Sequence, residues 1–130
     1  MPGRDLGDLA QVLARKAAGD EAALVKLADD HEVPDDVLGF HAQQAVEKLI
    51  KAVLANGGVE YPRVHDIAYL IVVLQDHGIE APPDVPKLEA LTPWGANLRY
   101  EEVREATLNR GEAVAAVEAV RRWAEALLAA

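Results

Sequence analysis

The chain has no cysteine, one methionine and one phenylalanine among its 130 residues, and aromatic residues make up only 5% of it. Without thiols there is no disulfide, no thiolate metal ligand and no cysteine nucleophile, and the composition is compatible with a reducing compartment. With so few rings, any core must be built from the aliphatic residues that bring the hydrophobic share to 51%. These are mainly Ala, Leu and Val, which favour close helix-to-helix packing over a β-sandwich. Long apolar runs are also missing: the longest, Ile67 to Leu74, falls far short of the roughly 20 residues that span a bilayer. Met1-Pro2-Gly3-Arg4-Asp5 has no apolar signal core. The expectation is a soluble cytoplasmic protein that does not engage a membrane. Basic residues are in deficit, 13 Lys and Arg against 22 Asp and Glu, for a net charge of −9. Such a surface repels phosphate backbones and argues against an extended nucleic-acid footprint, leaving only a local basic patch open. The four histidines stand in separate segments with no His-x-x-x-His spacing, so no metal site and no cofactor is expected.

What the chain does have is helical periodicity. Leu38, Ala42, Ala45, Val46, Leu49 and Val53 recur at three-and-four spacing and predict a central helix from about Pro34 to Ala55, ended by Asn56-Gly57-Gly58. Pro34 suits its first turn, and Asp35 and Asp36 suit the positive end of its dipole. Upstream, Leu6, Leu9, Val12 and Leu13 predict a helix over 5–18, and Gly19-Asp20 predicts a stop and an N-cap for a second short helix over 21–30. Downstream, Val59 to Arg63 reads as an extended connector because Pro62 disfavours helix at Tyr61. His65 or Asp66 then opens a helix with the stripe Ile67, Leu70, Ile71 and Leu74, and Gly78 follows its end. The run Ile71-Val72-Val73 suits a buried strand equally well, but a lone strand has no partner to pair with. Ala81 to Pro86 reads as a fixed loop and Leu88 to Arg99 as a helix with a break near Pro93, anchored by Leu88, Leu91 and Leu98. Tyr100 to Arg104 turns the corner. Asn109 with Glu112 resembles a capping box for a last helix whose inward face is Ala113, Val117, Val120, Ala124 and Leu127. The expected fold is all-α, an antiparallel up-and-down bundle of four or five helices forming a single domain over 1–130. Alanine-rich faces on the last helix also suit a second subunit.

A second row on the central helix, His41, Gln44, Lys48 and Lys51, aligns hydrogen-bonding and cationic groups along one flank. Read functionally, His41 offers a ring, Gln44 an amide and Lys48 an ammonium to a nucleotide. Read structurally, the same residues are a solvated polar stripe, and this reading is preferred. Arg99 and Tyr100 present a guanidinium and a phenol suited to a phosphate or carboxylate. The structural alternative pairs Arg99 with an acid such as Glu47. His65-Asp66 is read as a helix-start device, because adjacent residues do not face each other on a helix.

Phe40-His41-Ala42-Gln43-Gln44-Ala45-Val46-Glu47-Lys48 followed by Lys51, then Val64-His65-Asp66-Ile67, then Leu98-Arg99-Tyr100, resembles the HEPN domain family (higher eukaryotes and prokaryotes nucleotide-binding) from about Leu24 onward. The resemblance implies a helical bundle that commonly pairs into a homodimer. It also implies a role as companion of a small nucleotidyltransferase in a pair similar to toxin-antitoxin systems. HEPN ribonucleases carry an Arg followed a handful of residues later by a His, and this chain has no such pair: Arg63 stands only two residues before His65, and no histidine follows Arg99. No catalytic residue is therefore assigned. The expected function is a non-catalytic interaction module. The alternatives are a nucleotide-binding domain using His41, Gln44, Lys48, Arg99 and Tyr100, with Glu47, His65 and Asp66 as structural polar residues, or a ribonuclease with a displaced motif.

Overall fold

The computed structural model describes residues 6–95 and 107–129, which form an all-α bundle with no strand among them. Helix α1 spans Leu6–Leu27, α2 Asp35–Asn56, α3 Ile67–Asp76, α4 Val85–Glu89 and α5 Arg110–Ala129, with a 3-10 turn at Thr92–Trp94. None of the described helices is long and apolar enough to cross a membrane.

The first difference from the sequence pattern is at Gly19-Asp20, where α1 continues unbroken. Its buried residues are Ala10, Ala17 and Leu24, each seven positions apart, so a stop at Gly19 would throw Leu24 out of line with the other two. A helical glycine costs about 1 kcal/mol, whereas burying a leucine contributes about 1.5–3 kcal/mol. Packing wins, and Asp20 becomes a mid-helix residue instead of a cap.

Helix α2 follows Pro34, whose φ of −71° and ψ of 155° set the chain extended immediately before the first turn. Fourteen of its 22 residues are buried, so it is enclosed around most of its circumference and not along one stripe. One of them is Gly39, where a Cβ would stand 2.4 Å from Cδ2 of Trp94; the indole lies directly on the α2 backbone. Asp66 caps α3 by accepting the backbone N–H of Ala68 at 2.9 Å and of Tyr69 at 3.4 Å. The stripe Ile67, Leu70, Ile71 and Leu74 is fully inward.

The helix predicted over 88–99 is not continuous. It starts earlier, behind Asp84 in the left-handed conformation, carries Pro86 in its first turn and ends at Glu89. Pro93 lacks an N–H and disfavours helical backbone at Thr92, so the chain re-forms only a 3-10 turn. Leu88, Leu91 and Trp94 still point inward, at a spacing of three. Leu98 and the corner at 100–104 lie outside the described residues. At α5, Asn109 Oδ1 accepts the Glu112 N–H at 3.0 Å, one half of a capping box. The Glu112 carboxylate is 3.5 Å from Lys87 Nζ.

The chain alternates direction, but two of the return strokes are not long helices. His65 lies against Gln43 and Glu47, and Ile79 reaches the backbone at Gly57, so α3 descends alongside α2. The extended connector 59–66 makes the climb before it. The α4 and 3-10 segment makes the next one, from Glu80, which accepts from Trp123 Nε1, up to Trp94 on Gly39. Apolar residues from every helix meet in one cluster, centred on Leu38, Val46, Ile50, Leu54, Leu70, Leu74, Leu88, Val117 and Val120.

Two glycines should respond oppositely. A Cβ on Gly19 meets nothing within 4 Å, so Gly19→Ala should raise unfolding free energy by about 0.5–1 kcal/mol. Gly39→Ala must displace the indole and should lower it by about 1–3 kcal/mol. Urea denaturation measures both, and a stabilised Gly39→Ala would refute the packing described for Trp94.

Candidate functional site

The polar residues of α2 fall into two groups because the helix offers them two different neighbours. On the side facing α1, Asp20 receives both cationic-type side chains: His41 Nδ1 lies 2.9 Å from Oδ1 and Lys48 Nζ 2.6 Å from Oδ2. His41 and Lys48 are seven residues apart, two turns on one flank, and Asp20 sits between them at the level where the antiparallel α1 passes. All three are largely covered, with side-chain exposures of 12% for Asp20, 22% for Lys48 and 28% for His41.

On the other side, Glu47 is buried and is the meeting point of three donors. Lys51 Nζ, one turn along α2, is 2.9 Å from Oε2. Gln43 Nε2, one turn back, donates to Oε1 at 2.8 Å, and the His65 Nδ1 lies 3.0 Å from Oε1. Gln43 also donates to the His65 carbonyl at 3.1 Å and accepts from Gln44 Nε2 at 2.8 Å, which fixes the amide between helix and connector. Lys51 is itself buried, with its ammonium 5.3 Å from the centre of the Tyr61 ring. Burial alone would push the Glu47 carboxyl up; hydrogen bonds from Lys51, Gln43 and His65, with the Lys51 charge, outweigh it and hold the group below its ordinary 4.5.

An ionised carboxylate can only accept, so Glu47 requires the proton of His65 on Nδ1 and leaves Nε2 as the ring's outward nitrogen. A carboxylate-held imidazole of this kind can act as a base, while the two lysines of α2, Lys48 and Lys51, are paired with Asp20 and Glu47. No buried side-chain nitrogen or oxygen lacks a partner among the described residues.

The structure thus separates what the sequence placed in one row. His41 and Lys48 converge on Asp20; Gln44 extends the Glu47 group through Gln43; Lys51 is a buried counter-ion and not part of a cationic row. Asp66 caps α3 and does not touch Glu47, while its neighbour His65 does. Arg99 and Tyr100 lie outside the described residues; among those described, Glu47 meets Lys51, Gln43 and His65. Sequence reading missed Asp20, taken for a cap, although its partners are 21 and 28 positions away and no local signal marks them. The Glu47–Lys51 pair was legible as an i,i+4 spacing of opposite charges. Phe40 is 37% exposed and meets the His41 ring edge-on at 5.7 Å. Two apolar clefts among the described residues lie elsewhere, one of 240 Å³ beside Leu91 and Trp94 and one of 520 Å³ beside Trp123. Neither is lined by His41, Gln44 or Lys48. No group of three or more His, Cys, Asp or Glu with metal-binding geometry occurs among the described residues.

The family model for the HEPN domain matches residues 10–127, nearly the whole chain. Neither a curated protein nor a solved structure matches it.

The lowered Glu47 pKa sets a pH dependence. A carboxyl that is more acidic folded than unfolded adds stability above its ordinary 4.5, and that stability is lost as pH falls through the lower, folded value. Glu47→Gln should therefore unfold with a shallower acid slope than the parent. At pH near 7 it should be less stable by about 3–5 kcal/mol, because Lys51 stays buried without its counter-charge. Thermal melts of both proteins across an acidic series measure this, and parallel curves would contradict the assignment.

Proposed function

The chain belongs to the HEPN domain family, and from that premise we propose that it is a single, non-catalytic helical interaction module. Its proposed partner is a small nucleotidyltransferase in a cytoplasmic, toxin-antitoxin-like pair, a role implied by the family resemblance. The observation that carries the non-catalytic half is the state of the α2 cations. Lys48 is held by Asp20 on one side of α2 and Lys51 by Glu47 on the other, so a phosphate approaching either side meets a neutral pair, on a chain of net charge −9. Phosphoryl chemistry rests on cations aimed at developing negative charge, and these cations are aimed at carboxylates of the fold. The missing Arg-to-His spacing in the sequence points the same way. A homodimer, common among bundles of this family, is part of the same proposal.

A second reading, nucleotide binding, draws on one specific feature: the exposed Phe40 ring packed on His41, beside Gln44, offers a surface for a base to stack on. It lacks a free cation for the phosphates among the described members of the set His41, Gln44, Lys48, Arg99 and Tyr100. Cleavage of RNA is the third and least supported reading.

The proposal requires a small nucleotidyltransferase gene beside this one, whose product should co-purify as a stable complex on co-expression; absence of such a gene, or separate elution of the two proteins, would sink the partner proposal. Calorimetric titration with millimolar ATP or GTP should give no binding heat. Single-stranded RNA should remain intact with the parent and with His41→Ala alike; cleavage lost in that variant would replace the proposal with the third reading.

A further inference from the structure

Helix α1 ends at Leu27, and a helix end leaves carbonyl groups without partners inside the helix. The turn that follows folds on itself: Asp30 N–H donates to the Leu27 carbonyl at 3.0 Å, Val33 N–H to the Asp30 carbonyl at 3.1 Å, and Glu32 N–H to Asp30 Oδ1 at 2.9 Å. Three carbonyls, those of Ala28, Val33 and Asp30, the last already accepting from Val33, face one point, and Asp35 in the first turn of α2 adds a carboxylate.

A single guanidinium fills that point, from a residue 75 positions away. Arg110 Nε donates to Asp35 Oδ1 at 2.9 Å, Nη1 to the carbonyls of Ala28 at 3.2 Å and Asp30 at 3.0 Å, and Nη2 to the carbonyl of Val33. Asp35 Oδ2 accepts from the Leu108 N–H at 3.2 Å. The receiving side contributes acceptors only, spread so that each nitrogen of the planar fork finds one. A compact ammonium could not reach all four. Two of the four acceptors, the carbonyls of Asp30 and Val33, belong to residues tied by the turn's own hydrogen bonds, and the Asp35 carboxylate is held in addition by the Leu108 N–H. With side-chain exposures of 21% for Arg110 and 31% for Asp35, the point is open to water on one side.

We propose that the turn from Ala28 to Asp35 is a guanidinium-binding site in its own right, with Arg110 as its built-in occupant. In the intact chain the site is closed to added guanidinium because it is already filled. Once the side chain is removed, it accepts a guanidinium group from solution.

The test is chemical rescue of Arg110→Ala. The variant should melt below the parent. Guanidinium chloride at about 10 mM, far under denaturing levels, should raise its Tm by about 3–5 °C more than sodium chloride of equal ionic strength does. The parent should show no such difference, and Asp35→Asn in the Arg110→Ala background should abolish the gain. If Arg110→Ala is unfolded in buffer, the same titration is followed by far-ultraviolet circular dichroism, where helix recovered with guanidinium and not with salt supports the site. Equal responses to the two salts, a gain in the parent, or a gain that survives Asp35→Asn would each overturn it.

Discussion

Burial of Glu47 is the constraint on which the arrangement around α2 depends. An ionised carboxylate inside a bundle is costly unless its lone pairs are met, and removing any one donor leaves the charge partly uncompensated. Lys51 and Gln43 supply two donors from the same helix, at one turn on either side. The third has to come from elsewhere, and His65 supplies it from the connector after α2. This ties a segment with no regular structure to the centre of the molecule. Because His65 is anchored there, Asp66 is positioned to cap α3, and α3 is aimed back down beside α2.

The same logic recurs at lower cost where charges are nearer to water. Asp20 binds α1 to α2 through two side chains, and Arg121 of α5 meets Glu21 of α1 at 2.9 Å. Exposed pairs such as Arg122 with Glu118 add little to stability, since water already solvates both partners. What distinguishes Glu47 and Asp20 is coverage: each holds together elements that hydrophobic packing alone would allow to slide. Among the described residues, the lysines of α2 are thereby committed to architecture. The proposed binding role, in place of phosphodiester cleavage, rests on that commitment.

Fold class was legible because periodicity survives packing. Leu38, Ala42, Ala45, Val46, Leu49 and Val53 are all buried, as are the four stripe residues of α3, and Asn109 does hold the first turn of α5. The errors have a common origin. Gly19 looked like a stop, and the helix expected from Leu88 to its break near Pro93 lies earlier, at Val85–Glu89, because local propensity was weighed without knowing what the neighbouring turn would bury. At Gly19 the buried Leu24, five residues on, decided for helix; at Pro93 the expected break came, and a tryptophan on Gly39 made a 3-10 turn worthwhile.

The candidate site was legible only by residue type. Sequence alone determined that this chain forms amphipathic helices, carries no thiol chemistry, and places His41, Gln44, Glu47, Lys48 and Lys51 along one helix, since those properties follow from composition and from the 3.6-residue repeat. Tertiary structure alone decided which charge faces which: Asp20 with Lys48, His65 with Glu47, Arg110 with the turn after α1. Such pairs join residues 18 to 82 positions apart. Coulomb attraction and hydrogen bonding act over a few ångströms of space, and distance along the chain says nothing about which groups will come within that range until the backbone has folded.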